Sequence, residues 1–400
     1  MPEGSPRTQE LLEKEGIIGG TTTVVGVGFN AGGTKLQSVV TVDDYYQHLV
    51  DSGSLTDSNG NYGKESEDYT RAFADYAPAA VDYLVDCGLP IKAIEDGGNN
   101  VGSHQLISQE NGKLGEVLME LLSEELKKAE NVDLRLNNEA THIIMEDGKV
   151  IGVEVSGKNG SYKISAANVL IATGGYASSD EIIKEYNPSI LGYNSTMCIS
   201  SDGSGIKLGL EAGGVVTDMQ KMTIRQLSVG YPGIGGATYA HNTLKSGEIL
   251  VDANGNRFVN EQASKNDLIA ALNELDKNTC YIIANQEMAD GNDELAGLIK
   301  RGLMKQADTI EELAELLGMD EATLKATVDK FNESVKNGSD EEFGREDLSI
   351  SLETGPYYGV EARPSRHYCN GGLITNGSTE VLNENMEAIE GLYAAGEVTW

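Results

Sequence analysis

The 400-residue sequence predicts an α/β fold interrupted by an inserted domain. Three observations carry that reading. An apolar run at 169–172 ends at Thr173-Gly174-Gly175, the pattern of a buried strand that meets a ligand at its carboxyl end. An amphipathic helical stretch at 114–129 gives way to hairpin spacing at 141–155, so helix and strand periods follow one another. From 223 to 355 the character becomes separate and partly helical, and Gly-rich strands return at Pro356. Two domains is also what this length suggests, at about 100–200 residues each.

Along the chain, residues 8–15 read as a helix or strand end leading into Gly16. Residues 16–34 are glycine-rich and small, a loop rather than a regular element. Helical spacing marks 43–51 and 65–87, the second through Tyr69, Phe73, Tyr76, Ala80, Val81 and Leu84. In 114–129, Leu114, Val117, Leu118, Leu121, Leu122 and Leu126 share one face, and Lys127-Lys128 sit at the favourable carboxyl end. A short strand is expected at 133–136. A hairpin follows at 141–145 and 150–155 around Glu146-Asp147-Gly148-Lys149, with another strand at 161–166. Residues 248–259 read as a hairpin turning at Asn254-Gly255, and 309–337 as two short helices ending at Asn337-Gly338. The last unit is 389–398.

Composition bounds the function. The chain carries 63 acidic against 30 basic residues, a net charge of −33. Such a surface repels phosphate backbones and anionic lipid, which argues against nucleic-acid and membrane-surface partners. Four separated cysteines with no Cys-x-x-Cys argue against a disulfide framework, a zinc site or a haem attachment. No metal site is expected. No apolar stretch approaches the roughly 18 residues a membrane span needs. Met1 to Glu10 lacks the apolar core of a signal peptide, so the sequence as given reads as cytoplasmic.

Four glycine-containing units lie far apart and share one logic: Gly19-Gly20-Thr21-Thr22 after Glu13, Ala172-Thr173-Gly174-Gly175, Ser201-Asp202-Gly203, and Ala394-Ala395-Gly396-Glu397. Each offers backbone stripped of side chains beside a hydrogen-bonding group. A large planar or phosphate-bearing cofactor needs that close approach. An acid at the end of a first βαβ unit can accept the hydroxyls of an adenosine ribose, and Glu13 is placed for that role.

These stretches, with GNRFVNE at 255–261, PYYGVEARPSRHYCNGGLIT at 356–375 and GLYAAGEVT at 391–399, resemble the flavoprotein family of fumarate reductases and their soluble relatives. Flavocytochrome c fumarate reductases, urocanate reductases and 3-ketosteroid dehydrogenases belong to that family. The resemblance covers nearly the whole chain. It implies a Rossmann-like FAD-binding domain, its first βαβ unit incomplete, with an inserted α+β capping domain and the substrate held between them. Mapped onto this chain, the FAD domain would be 1–222 plus 356–400 and the cap 223–355. For FAD it implies Glu13 at the ribose; Gly20, Thr21, Thr22, Gly26, Val27 and Gly28 along the pyrophosphate and flavin; and Ala140 on the adenine side. It further implies Thr173, Gly174, Asp202, Gly372, Gly396 and Glu397, the last near the second ribose or ribityl chain.

The chain departs from the family's pattern in several places. Relatives begin with a strand and Gly-x-Gly-x-x-Gly about 20 residues before the ribose acid. Only 12 residues precede Glu13, and the chain stops at Trp400. The expectation is a fragment that does not bind FAD tightly alone. The family's proton-donating Arg matches Lys265, which could serve if burial lowered its pKa, although Lys does not replace Arg in bidentate carboxylate binding. The proton-relay pair matches His241 and Leu244. A substrate-binding His matches Arg225, and the His of a His-His-Thr-Met-Gly-Gly motif matches Tyr368, whose phenol could hydrogen-bond a carbonyl.

The expected activity is FAD-dependent hydride transfer between flavin N5 and a C=C bond activated by carbonyl or carboxylate, with a substrate other than fumarate. The alternatives are α,β-dehydrogenation of a cyclic ketone and an inactive remnant. Expected partners are an α,β-unsaturated acid or ketone and an external electron donor: reduced flavin, quinol or a cytochrome.

Overall fold

The computed structural model describes residues 9–24, 26, 28–54, 64–94, 101–107, 113–231, 236–240, 244 and 246–400. In chain order the elements begin β1 (Gln9–Glu13), a one-turn 3-10 helix (Gly20–Val24), β2 (Gly28–Asn30), α1 (Val42–Asp51), α2 (Lys64–Asp86), β3 (Ile91–Ala93), β4 (Ser103–Leu106) and α3 (Leu114–Lys128). Then come β5 (Val132–Leu136), β6 (Asn138–Glu146), β7 (Lys149–Gly157), β8 (Gly160–Ser165), β9 (Val169–Ile171), α4 (Asp180–Tyr186), β10 (Asn194–Ser195), α5 (Ser204–Glu211) and β11 (Val216–Thr217). Next are β12 (Met222–Gly230), β13 (Ala237–Tyr239), β14 (Ile249–Val251), α6 (Lys265–Asn273), β15 (Cys280–Asn285), α7 (Gln286–Asp290), α8 (Asp293–Lys300) and β16 (Lys305–Ala307). The chain closes with α9 (Ile310–Leu317), α10 (Glu321–Asn337), β17 (Tyr357–Cys369), β18 (Gly372–Leu373), β19 (Glu380–Leu382) and β20 (Ala388–Ala394).

The chain divides into two compact units. The first comprises Met1–Ser179, Ser200–Lys221 and Cys369–Trp400. Among its described residues, one sheet runs β19-β20-β7-β6, with β8 on β7 and β9 on β20. β9 and β20 are parallel, Val169 opposite Leu392 and Ile171 opposite Ala394. β1 and β5 form a second parallel pair, with Glu13 opposite Leu136. The carboxyl ends of β1, β9 and β20 all lead into the glycine turns singled out above, the usual place for a ligand in an open α/β sheet. β6 and β7 form the expected hairpin, its turn closed by Asp147 (φ 49°) and Gly148 (φ 80°). A small core of Ala31, Val81, Leu89, Ile91 and Leu114 lies under α2 and α3.

The second unit comprises Asp180–Ile199 and Met222–Tyr368. Its sheet runs β13-β12-β17-β15-β14 among the described residues, with β10 and β16 also on β17. The sheet, α6 and the helices α7 to α10 enclose the larger core, which includes Leu250, Leu272, Ile282, Leu313, Leu324 and Phe331. Sequence sets these helices locally. Thr309 and Glu312 make a capping box for α9, Asp320 caps α10, and Gly338 ends it at φ 65°.

Four sequence expectations need correction. The return to the first unit comes at Cys369 rather than 356, because Tyr357–Tyr368 is the strand on which the second unit's sheet is built, and Asp180–Ile199 joins that unit too. The loop at 16–34 contains a 3-10 turn and β2. The expected hairpin at 248–259 reduces to one bridge, Val251 to Arg257, and the Leu250 amide goes to the Glu261 carboxylate instead of to a partner strand. β9 is not fully buried: Leu170 is 60% exposed, while Ile171 is 3% exposed.

Charges lie inside the second unit. Arg257 makes a two-pronged pair with Glu261, Nε to Oε1 at 2.9 Å and Nη2 to Oε2 at 2.8 Å, and also reaches Asp340 at 3.0 Å. Arg345 approaches Glu261 at 3.3 Å and donates to the Glu248 carbonyl at 2.7 Å. Burial pushes the Glu248 carboxyl up to about 7, against the opposing pull of the Ser246 amide, Arg345 and Asn292. The folded state therefore favours protonated Glu248, and the stability this gives is complete below pH 4.5 and lost as pH rises towards 7. That window is worth about 3 kcal/mol to the second unit. Glu248→Gln is expected to flatten the fall in melting temperature between those pH values, measured by thermal denaturation across a pH series.

Candidate cofactor and active site

Hydrogen bonds join the four glycine units of the first unit to one another. The Gly203 amide donates to the Gly175 carbonyl at 3.1 Å, and the Ser178 amide donates to the Ser201 carbonyl at 2.9 Å. The Thr21 and Ser201 hydroxyls lie 3.3 Å apart. The Ala395 amide donates to the Ile171 carbonyl at 3.0 Å. Lys14, next to Glu13, holds Asp202 at 2.5 Å and donates to the Ser200 carbonyl at 3.3 Å. Burial alone would raise the Asp202 pKa. Lys14 and the Ser204 amide at the start of α5 outweigh it and hold the carboxyl below the usual range.

The glycines divide by what surrounds them. At Gly20, Gly26, Gly174 and Gly396 an added Cβ would meet no atom within 4 Å, and Gly20, Gly174 and Gly396 have φ of 52°, 78° and 84°. These positions expose bare backbone to open space, a cradle that a large ligand can approach closely. At Gly28, by contrast, a Cβ would lie 2.2 Å from the His104 carbonyl, and at Gly372 it would lie 2.4 Å from the Val398 carbonyl. At both positions the neighbouring backbone leaves no room for a side chain. At Gly205 a Cβ would lie 2.0 Å from Thr173 Oγ1, so α5 starts directly against the Thr173 turn.

Of the other cofactor candidates, Glu13 ends β1 half-buried and accepts the Glu15 amide at 2.8 Å. The exposed Thr22 has its carbonyl 1.9 Å from where a Cβ on Gly115 would sit, which brings α3 close beneath the turn. Ala140 is half-buried in β6 opposite Val155, beside a register shift. Val27 lies outside the described residues. Glu397 turns inward: its Oε1 accepts the Cys369 amide at 2.9 Å.

The expected catalytic positions fall in the second unit. Arg225 is half-buried on β12, Lys265 is the first residue of α6, and Tyr368 ends the second unit's part of β17. α6 packs on β12, and β12 neighbours β17. The burial that would have suited Lys265 to proton donation is not found, because Lys265 is exposed where Ser264 caps the helix through the Asp267 amide. Tyr368 is 41% exposed, its ring 4.9 Å from that of His367. His241 lies outside the described residues, and Leu244 is buried.

Sequence reasoning missed several residues. Lys14 escaped because a lysine between two glutamates reads as a surface charge. Ser201 and Gly175 sit inside quoted motifs, but only their hydrogen bonds reveal that they join them. Arg257 and Glu261 lie in a motif that had served only as a signpost.

A family model described as "FAD binding domain" matches residues 8–400. The chain is 30% identical over 401 residues to a fumarate reductase (cytochrome) of Shewanella frigidimarina, covering 97% of this chain and 67% of that protein. It is 29% identical over 397 residues to an NADH:fumarate oxidoreductase of Klebsiella pneumoniae (strain 342), covering 97% of this chain and 41% of that one. The chain thus spans about two fifths to two thirds of the length of these relatives. The open conformation of a flavocytochrome c3 fumarate reductase superposes with a TM-score of 0.84 at 27% identity, covering 97% of this chain and 68% of that one.

The open glycines fit a flavin nucleotide, and substitution separates cradle from packing. Gly174→Asn is expected to weaken FAD binding tenfold or more, with a stability cost of about 1 kcal/mol, because Asn tolerates the left-handed region better than other residues with a side chain. Gly205→Ala is expected to cost more stability, roughly 1–3 kcal/mol, through its clash with Thr173. Flavin fluorescence titration and thermal denaturation measure the two effects side by side.

Proposed function

The chain belongs to the FAD binding domain family, and from that premise we propose that it is the catalytic part of an FAD-dependent oxidoreductase that reduces a carboxylate- or carbonyl-activated C=C bond. The observation that carries the proposal is the joining of four distant glycine turns into one cradle of open backbone. FAD, when bound there, supplies the hydride chemistry. Its holders would be the backbone at Gly20, Thr21, Gly26, Gly174 and Gly396, with Glu13 for a ribose.

The remaining roles belong to side chains of the second unit. Arg225 gives a permanent positive charge in a chain of net charge −33 and suits a substrate carboxylate. The Tyr368 hydroxyl, partly exposed, can donate a hydrogen bond to a carbonyl or carboxylate oxygen. Lys265 is exposed at the start of α6, so the bound substrate itself would have to cover it; in this reading its Nζ carries the proton for the carbon next to the one that takes hydride. The segment leading to it is pinned from two sides. Glu261 accepts the Leu250 amide at 3.1 Å, the Asn260 side chain donates to the Gly344 carbonyl at 3.2 Å, and Gln262 accepts the Asp347 amide at 3.1 Å. Two cations on the substrate side favour an α,β-unsaturated acid over an apolar cyclic ketone. Electrons come from an external donor: reduced flavin, a quinol or a cytochrome.

Anaerobic reoxidation of the dithionite-reduced protein by a panel of enoates and enones tests the reading. Fast reoxidation by an enoate is the expected result, and protein that stays colourless with added FAD overturns it. Lys265→Met is expected to lower alkene reduction by roughly 10²–10⁴-fold with FAD still bound. Turnover within a few-fold of the parent would remove Lys265 from the role.

A further inference from the structure

The Glu397 carboxyl is half-buried against the Gly175 turn and Cys369. Oε1 accepts the Cys369 amide at 2.9 Å. A Cβ on Gly175 would lie 2.8 Å from that same oxygen and 2.7 Å from Cys369 Sγ, so the three groups are packed to the limit a glycine allows. Cys369 Sγ in turn accepts the Tyr176 amide at 3.1 Å. The Tyr176 hydroxyl donates to the Met219 carbonyl at 2.8 Å, inside a fully buried ring pocket. Two chain segments nearly 200 residues apart, the turn after β9 and the end of β17, thus meet on one carboxylate. The same turn after β9 carries Gly174, one of the open cradle positions.

We propose that Glu397 is a positioning residue: it clasps Cys369 to the Gly175 turn and thereby holds the Thr173–Gly174 backbone in the shape the cofactor meets. Burial works against the charged form and raises the carboxyl, while the Cys369 and Gly175 amides favour the ion. Burial also pushes the Cys369 thiol up, so a closed clasp keeps that thiol protonated, buried and unreactive. The clasp therefore has a readout of its own. Cys280 is likewise buried, whereas Cys87 and Cys198 are partly exposed and would be replaced by Ser in the background used.

The inference rests on FAD occupying this cradle, but its first test does not need flavin. Reaction of Cys369 with a disulfide reagent is followed in the protein as purified and again after flavin is released. Glu397→Ala is expected to speed that reaction at least tenfold in both states and to weaken FAD binding about tenfold. Glu397→Gln, which keeps an acceptor for the Cys369 amide, is expected to restore most of both. If Glu397→Ala weakens FAD binding but leaves the thiol as slow as in the parent, Glu397 is a direct cofactor ligand and the clasp is wrong. Should that variant not fold, two checks remain. Gly175→Ala must speed the thiol reaction by displacing the same atoms, and in the parent the Cys369 amide must be among the slowly exchanging ones. Rapid exchange of that amide overturns the clasp. Protein that binds no FAD yet shows the slow thiol and protected amide keeps the clasp and removes the cofactor reading instead.

Discussion

Close approach of backbone to backbone is the constraint on which the first unit depends. Turns from three distant stretches meet through main-chain hydrogen bonds, Gly203 to Gly175 and Ala395 to Ile171, and the fourth joins them through the Thr21 and Ser201 hydroxyls. Such bonds form only where no side chain intervenes. Gly205 lies so near Thr173 that a single methyl group would overlap its hydroxyl. The strands deliver the turns: β9 and β20 run parallel and end together, and β1 ends at Glu13. Glycine is then used twice, once to let the turns touch and once, at Gly20, Gly26, Gly174 and Gly396, to leave the assembled surface bare.

The second unit is held by another device. Arg257, Glu261, Asp340 and Arg345 are all buried and mutually paired, in the middle of an apolar core. Taking such charges out of water is costly, and the pairing offsets the cost without guaranteeing net stabilisation. What it supplies is geometry. An Arg-carboxylate fork has one good orientation, and here it fixes where residues 257–264 run. Phe331 and Phe343 flank Arg257 at 5.4 and 4.8 Å, which further limits how the guanidinium can turn. Lys265 emerges where this rigid segment becomes a helix, so its position is defined even though its side chain is exposed.

Much of this was legible in the sequence, and the exceptions share a cause. The helices at 114–129 and 309–337 and the hairpin around Asp147-Gly148 are set by local periodicity and turn chemistry, and they stand as read. The glycine motifs also stand as turns. Their individual purposes could not be read, because a glycine that admits a neighbouring strand and one that admits a ligand are the same letter. An added Cβ would overlap neighbouring backbone at Gly28 and Gly372 and would meet open space at Gly174 and Gly396. The boundary at 356 was misplaced for a similar reason. Tyr357–Tyr368 looks like the glycine-rich stretches that follow it, and its pairing with β10, β12, β15 and β16 goes with the other unit.

The charge balance follows from the same arrangement. A chain of net charge −33 that offers a site to a pyrophosphate has an electrostatic problem. Lys14 does not solve it by its own charge, since it is taken up by Asp202 at 2.5 Å. That pair instead neutralises a carboxylate that would face an anion, and it ties the segment after β1 to the start of α5. Glu397 is withdrawn in the same way, its oxygen turned to the Cys369 amide. The site is thus made hospitable to an anionic nucleotide by disarming its own acids and presenting peptide dipoles, with little call on positive side chains. Glycines and acids thus occur in the same motifs, and at Asp202 and Glu397 the acid holds the turn beside it.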